Sequence, residues 1–247
     1  MGNVGNFLRR NSAPVPDRRM AHAQRLRSGT EIERTMFFSD AVFAIAMTLL
    51  VLDLKLPAMD SGTTAAELRD VLLDQVGPFA AFILSFVLVG RLWMNHHRKF
   101  KAIKNYDPAL QSINLLALFF VVFLPVPTSL LFQANAQSPW PPVIYALTIS
   151  GSFVSLSWLW AHAHKAKLMH DWVDAALHRM ILHGTDPVWA VFLLSIPVAF
   201  LSPVWAMYSW ILIWPVSMVH GKWQLARFLR DEQTGQADTS KNAAHEP

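Results

Sequence analysis

Long apolar stretches alternate with polar segments along the chain, and six apolar helices of membrane-spanning character are predicted. A spanning helix needs about 20 mostly apolar residues, because the hydrocarbon core of a bilayer is about 30 Å thick. Ser202-Pro203 divides the last stretch into a tight helical hairpin with a short fifth helix, because proline interrupts helices. The predicted spans are Met36–Leu56, Val76–Met94, Ala109–Phe132, Val143–His162 and two helices within Val188–Val219. The pattern therefore predicts an all-α, polytopic membrane protein with six transmembrane helices per subunit.

Polar segments flank this predicted membrane domain, which we place at residues 34–222. Residues 1–33 form an Arg-rich arm and residues 223–247 form a tail. Residues 1–27 of the arm, and the tail from about residue 231, are expected to be disordered. The arm has no apolar core of the kind found in signal peptides, so the first helix is expected to remain in the mature protein.

The composition agrees with a protein embedded in lipid. Hydrophobic residues make up 53% of the 247 residues and charged residues only 15%, whereas soluble domains carry about 25% charged residues. The absence of cysteine excludes disulfides, thiolate catalysis and Cys-ligated metal. No Ser/His/Asp or His/carboxylate set is expected at one depth inside the helices, so neither an enzyme nor a resident cofactor is predicted.

The basic residues predict the orientation in the membrane. All Lys and Arg except Lys55 and Arg69 fall in four segments that six spans place on one side. The positive-inside rule then makes both termini cytoplasmic, in a multi-pass protein of the cell membrane. The net charge of +4 is attributed to this topology and not to nucleic-acid binding, because the basic residues lack an aromatic platform.

The first outer loop, in contrast, is acidic. It attracts cations towards the outer face or is simply a solvated loop, and the sequence favours neither reading. Its acidic residues are Asp53, Asp60, Glu67, Asp70 and Asp74.

The first helix carries two different faces. At 100° per residue, one apolar stripe lies within about 60° of Ile45 and runs the length of the helix. Its members are Phe38, Ala41, Ile45, Thr48, Leu49, Leu52 and Leu56. Ser39 and Asp40 lie about 120° and 140° away, on nearly the opposite face.

A carboxylate more than one turn inside the membrane costs several kcal/mol unless it is paired. We therefore expect a structural polar latch near the cytoplasmic side that fixes the rotation of the first helix. Its expected members on three helices are Ser39, Asp40, Arg91, Asn95, His96, His97 and Asn114. The alternative is that Asp40 serves as a proton or ion relay, which the sequence favours less because Asp40 faces away from the apolar stripe.

The motif Arg34-x-x-x-Phe38-Ser39-Asp40 on a first transmembrane helix resembles the signature of the endolysosomal potassium channel family and its bacterial homologues. That family lacks the usual potassium-channel filter, and this chain likewise has no Thr-Val-Gly-Tyr-Gly segment. Supporting similarity lies in Trp93–Arg98 at the end of the second helix and in Asn114–Thr128 of the third.

The resemblance implies a homotetramer in which the first helices surround a central pore that conducts potassium. It places Ile45 at an apolar constriction, with Leu49 and Leu52 above it and the Thr48 hydroxyl nearby. It also implies that Arg34 and Phe38 act with Ser39 and Asp40 in helix packing. No cofactor is implied, and the expected partners are potassium ions, membrane lipids and further copies of the chain.

Three other features have alternative explanations. The cytoplasmic connection after the fourth span is rich in histidine, which predicts pH sensitivity or an interfacial helix more than a metal site. Its histidines are His162, His164, His170, His178 and His183. Most tryptophans, Trp93 among them, are assigned to the aromatic belts at the membrane surfaces. Pro125 and Pro127 are expected to kink the third helix or end its regular part.

For the function of the whole protein, a secondary transporter or a proton or cation permeation protein remains the alternative to a potassium channel.

Overall fold

The computed structural model describes residues 29–52, 54, 64–133, 137–174, 177–178, 180–181, 188–224, 226 and 230. Four of its helical segments are long and apolar enough to cross a membrane: Glu31–Leu52, Val76–Lys101, Pro108–Leu131 and Trp140–Lys165. The expectations of disorder at residues 1–27 and 231–247 lie outside the described residues. The chain is therefore a multi-pass, all-helical membrane protein over the part that the structure describes.

Helix α1 (Gly29–Leu52) begins inside the arm that the sequence assigned to residues 1–33. The reason is that Ile32 and Thr35 already face the protein interior, with 7% of each residue exposed. Helix α2 (Ala65–Asp74) is short and exposed, and a Thr64–Glu67 capping box starts it. Helix α3 (Val76–Lys101) runs two turns beyond the predicted end because Lys99 and Phe100 are also buried.

The third predicted span is broken near its middle, as its prolines predict. Helix α4 (Pro108–Phe123) starts at an Asp107 cap, whose Oδ1 accepts the backbone N–H of Leu110 at 2.6 Å. After Leu124, helix α5 (Pro125–Gln133) continues to the end of the span. A proline cannot donate a backbone hydrogen bond, so the break falls where Pro125 and Pro127 enter.

Helix α6 (Trp140–Lys165) is the central helix of the subunit. It packs against α4, α5, α3 and the following helix α7 (Val188–Leu201). Gly151 permits close contact with α4, because an added Cβ would lie 2.6 Å from the ring of Phe120. The side chains of Tyr145, Phe153 and Trp160 are completely buried along the α6 core face.

The last apolar stretch forms the expected hairpin. Helix α7 has only 14 residues, so it is about 21 Å long and shorter than the hydrocarbon core. Ser202 and Pro203 start helix α8 (Pro203–Ser209), which passes through a 3-10 turn (Trp210–Leu212) into helix α9 at residues 213–224. Trp210 Nε1 donates to Ser195 Oγ at 3.0 Å and ties the returning chain to α7.

Candidate functional site

The apolar stripe of α1 is not covered by the other described helices of the same subunit. The exposed fraction is 58% at Ile45, 38% at Leu49 and 70% at Leu52, and Thr48 and Phe38 are exposed on the same side. The Thr48 hydroxyl donates to the Ile45 carbonyl oxygen at 2.8 Å. Its proton is therefore engaged with the backbone, and only oxygen lone pairs remain directed outward.

The opposite face of α1 is buried in the subunit core. Phe43, Ala46 and Leu50 are each 1% exposed and pack in one cluster with residues of α3 and α6. Because these residues recur every three or four positions, they fix which side of α1 faces inward. The stripe around Ile45 is consequently held outward, away from the other helices of the same chain.

A buried polar chain joins α1 to α4 and α3 near the predicted cytoplasmic end. Asn114 Nδ2 donates to Ser39 Oγ at 3.0 Å, and Asn114 Oδ1 accepts from His96 Nε2 at 2.9 Å. Ser39 Oγ in turn donates to the Thr35 carbonyl at 2.8 Å. Ser39, His96 and Asn114 are each fully buried, so the structure brings three expected latch residues together on three helices.

Asp40 is placed beside this chain at a more open position. Its Oδ1 accepts the indole N–H of Trp93 at 2.8 Å, and the Trp93 ring lies 5.6 Å from the ring of His97. The sequence assigned Trp93 only to the aromatic belt and did not identify it as the partner of Asp40. Pairing with Trp93 is possible because an indole has an apolar ring and one strong donor.

The other expected latch residues occupy different surroundings. Arg34 pairs with Glu31 at 3.3 Å on the surface of α1. Phe38 is 52% exposed. Asn95 is buried on α3, whereas Arg91, one turn earlier, is half-buried. Arg34 and Phe38 thus lie on the outward side of α1, away from the Ser39–Asn114–His96 chain.

Two polar contacts between helices are absent from the sequence-based prediction. Thr35 Oγ1 donates to Gln111 Oε1 at 3.2 Å, which adds a second contact between α1 and α4. Lys99 is completely buried, and its Nζ donates to the Leu156 carbonyl of α6 at 3.0 Å. Spacing gives a partial signal for Lys99, because it lies three residues after His96 and shares its face of α3.

The histidine-rich connection forms ring contacts in the structure. The rings of His164 and His178 stack with centroids 3.6 Å apart, and Trp160 stacks on His178 at 5.6 Å. His162 Nε2 lies 2.9 Å from Asp107 Oδ2. Within the described ranges, no group of three His, Cys, Asp or Glu side chains is arranged to hold a metal. His183 lies outside the described residues.

The acidic outer segment is described only in part. Thr64 donates its backbone N–H to Glu67 Oε2 at 2.7 Å. This hydrogen bond lowers the pKa of Glu67 below its usual value. Asp70 pairs with Arg69 at 3.0 Å, and Asp53 and Asp60 lie outside the described residues.

Comparison with known proteins gives consistent results. Residues 34–125 match the family described as Endosomal/lysosomal potassium channel TMEM175. A potassium channel of Streptomyces collinus is 35% identical over 144 residues, which cover 57% of this chain and 68% of that protein. A potassium channel of Chamaesiphon minutus is 37% identical over 139 residues, covering 56% and 68%.

A solved structure has the same fold. It is the crystal structure of a lysosomal potassium-selective channel TMEM175 homolog from Chamaesiphon minutus, with a TM-score of 0.62 and 28% identity. The match covers 77% of this chain and 98% of that chain. It therefore extends well beyond residues 34–125, which carry the family match. The conserved fold, the family match and the two bacterial relatives show that this chain belongs to the TMEM175 family.

Proposed function

We propose that the protein is a potassium-permeable channel whose pore is lined by α1 and narrowed by a ring of apolar α1 side chains. The family is one of ion channels and not of enzymes. The observation that carries the proposal is the outward-facing stripe of Ile45, Thr48, Leu49 and Leu52. Four copies arranged around an axis would enclose these side chains.

The assembly that we propose is a homotetramer of six-helix subunits with both termini in the cytoplasm of the cell. Four long helices account for four spans. The hairpin of α7 with α8 and α9 supplies two shorter crossings. The even number of crossings agrees with the strong asymmetry of Lys and Arg along the sequence.

The physical basis of selection is the cost of removing water at an apolar ring. Hydrophobic constrictions gate by dewetting, and carbonyl cages are not the only route to selectivity. A tight ring of four Ile45 side chains disfavours sodium more than potassium, because the smaller ion holds its water more strongly. Thr48 supplies partial compensation, since its hydroxyl proton is bonded to the Ile45 carbonyl and its oxygen lone pairs remain available to a cation.

The latch has a structural role in this proposal. Ser39, Asn114 and His96 join α1 to α4 and α3, while Asp40 bonds to Trp93. Buried polar groups need partners, so rotation of α1 about its axis would leave several of them unsatisfied. The latch thereby holds the Ile45 stripe towards the proposed axis.

The direct test is single-channel recording of the purified protein in a planar bilayer. The proposal predicts discrete unitary currents that reverse nearer the potassium than the sodium equilibrium potential. Slow, saturating flux coupled to a second substrate would instead show a secondary transporter. Currents carried by protons alone would show the proton-permeation alternative.

Ile45→Asn tests the constriction itself. A polar side chain wets the ring, so the conductance is expected to rise and the preference for potassium over sodium to fall. Ile83→Asn on α3 is the matched control, because Ile83 is 57% exposed and Ile45 58%. Unchanged conductance and permeability ratios in Ile45→Asn, or equal changes in both variants, would contradict the assignment.

A further inference from the structure

A cleft of about 930 Å³ lies where α1 begins and where α3 and α6 end. Small-molecule sites typically have volumes of about 300–1,000 Å³ and combine an apolar lining with a few polar groups. This cleft is outside the proposed pore and the latch. It is also not part of the motif that identifies the family.

Part of the lining of the cleft is apolar and buried. Ile32, Phe100, Ile103 and Leu168 line it and are each less than 10% exposed. The connection after α3 and the segment after α6 are joined by an antiparallel bridge between Ile103 and Met169. Hydrogen bonds from Lys104 N and Asn105 N to the Leu168 carbonyl, at 2.7 and 3.0 Å, hold the bridge together.

The lining of the cleft also carries positive charge. Lys101, Lys104 and Lys167 line it, and all three are exposed. Two carboxylates, Glu33 and Asp107, also line it, and Asp107 Oδ2 lies 2.9 Å from His162 Nε2. Lys104 Nζ lies 3.3 Å from Asp171, whose side chain is 95% exposed. Such a surface ion pair is weak and opens easily to a stronger anion.

Lys167 has an unusual backbone conformation at this surface. Its φ is 55°, a left-handed conformation that favours glycine. It follows the C-cap of α6, where Leu168 N bonds to the Ala163 carbonyl and Lys167 N to the His164 carbonyl. This is the Schellman pattern, which usually has glycine at that position. A lysine there keeps a strained backbone and adds a positive side chain to the cleft.

Tyr106 adds a neutral donor to the lining. Partial burial, together with the carboxylates of Glu31 and Asp107, raises the pKa of this phenol. Tyr106 therefore remains protonated and able to donate to an anion.

We propose that the cleft binds the phosphate headgroup of an anionic phospholipid, with Lys101, Lys104 and Lys167 around the phosphate. Met36, which also lines the cleft and is only half-buried, favours a lipid over a soluble phosphate, because it offers an apolar surface to the first carbons of the acyl chains. The cleft also lies at the ends of α1 and α3, where a headgroup resides. Binding is measured without ion flux, so this inference stands or falls separately from the proposed channel activity.

The test is titration of the detergent-purified protein with dioctanoyl phosphatidylglycerol, followed by the change in melting temperature. Dioctanoyl phosphatidylcholine and glycerol 3-phosphate are titrated in parallel. We expect the melting temperature to rise to a plateau with phosphatidylglycerol and to stay unchanged with the other two compounds. The triple variant Lys101→Gln, Lys104→Gln, Lys167→Gln is expected to weaken binding at least about tenfold, since each lysine contributes to attraction of an anionic headgroup.

Two further variants separate the site from general charge effects. Arg98→Gln, Lys165→Gln, Lys222→Gln removes the same charge from exposed positions outside the cleft, and it should bind as the natural protein does. Lys167→Gly removes the backbone strain at this position, so the melting temperature of the unliganded protein should not fall. The affinity for phosphatidylglycerol should weaken about fivefold, because one lysine is lost. Equal stabilisation of both triple variants by phosphatidylglycerol would overturn the site. An equal response to glycerol 3-phosphate would overturn the assignment to a lipid.

Discussion

Helices α1 and α6 are both apolar enough to span a membrane but relate differently to the rest of the subunit. In the most apolar stretch of each span, 67% of α6 is buried inside the subunit, whereas only 28% of α1 is. Helix α6 contacts its own chain on most sides, and α1 contacts it on one. Hydropathy therefore identifies both as membrane helices, but only the distribution of burial distinguishes a core helix from one that has a free face.

Both helices also bond to other helices through polar residues. In α6, the Tyr145 hydroxyl lies 2.9 Å from Ser85 Oγ of α3, and Ser150 Oγ donates to the Trp189 carbonyl of α7 at 3.2 Å. The polar residues of α1 include Ser39 and Asp40, which bond to other helices. In α1 these contacts lie in the first half of the helix, whereas the stripe from Ile45 to Leu52 in its second half is exposed. The helices therefore differ in burial and not in their polar contacts, and α1 is the one with an uncovered face.

The largest expected difference between the helices concerns core truncation. Ile149→Ala in α6 removes a completely buried side chain and should lower the free energy of unfolding by about 2–5 kcal/mol through the cavity that it leaves. Ile45→Ala in α1, at a residue 58% exposed in the subunit, should cost less than about 1 kcal/mol. Denaturant titration in micelles measures both. Equal losses of stability would mean that the side chain at position 45 is packed as tightly as the one at position 149, which would contradict an uncovered face on α1.

A smaller effect is expected when the latch is broken. Asn114→Leu removes the partner of His96 Nε2 and one contact of Ser39, so unfolding should become easier by about 1–3 kcal/mol. Ser112→Ala on the same helix is the control, because its exposed hydroxyl bonds only to the Pro108 carbonyl. It should change stability by less than about 0.5 kcal/mol. If Asn114→Leu matches this control, the latch does not hold α1.

The smallest effect is expected at the Asp40–Trp93 contact. Trp93→Phe keeps an aromatic ring but removes the donor to Asp40, and at an exposed position the cost should be below about 1 kcal/mol. Trp158→Phe on α6 is the matched substitution at a tryptophan that is 55% exposed. Melting temperatures measured side by side should fall more for Trp93→Phe. The reverse order would assign Trp93 to the aromatic belt alone.

The sequence predicted the helices better than the contacts between them. Apolar length located four of the six predicted spans, and Pro125 and Ser202-Pro203 located both interruptions, because these effects act within one segment. The polar groups of three helices were matched only by estimated depth, which brought Asn114 and His96 to Ser39 but missed Trp93 as the partner of Asp40. Such pairings depend on how helices rotate against one another, and no local pattern specifies that rotation.

The extended ends of α1 and α3 have a similar explanation. Ile32 and Lys99 lie beyond the predicted membrane boundaries but are buried by neighbouring chain segments. Hydropathy measures the preference for lipid and does not detect burial by protein. The sequence also did not predict the cleft beside Lys167. The left-handed backbone of that lysine arises where α6 ends, and a lysine in the sequence does not indicate such a conformation.

The most direct test of the account is whether Ile45 of one copy lies beside Ile45 of another. The natural chain has no cysteine, so Ile45→Cys and Ile83→Cys each introduce a single reactive thiol. In a cyclic assembly, the same position on neighbouring copies comes close only near the axis. A short bifunctional thiol reagent, applied in membranes, should therefore link Ile45→Cys subunits and leave Ile83→Cys subunits separate. Absence of links at position 45, or equal linking at both positions, would contradict a pore lined by α1.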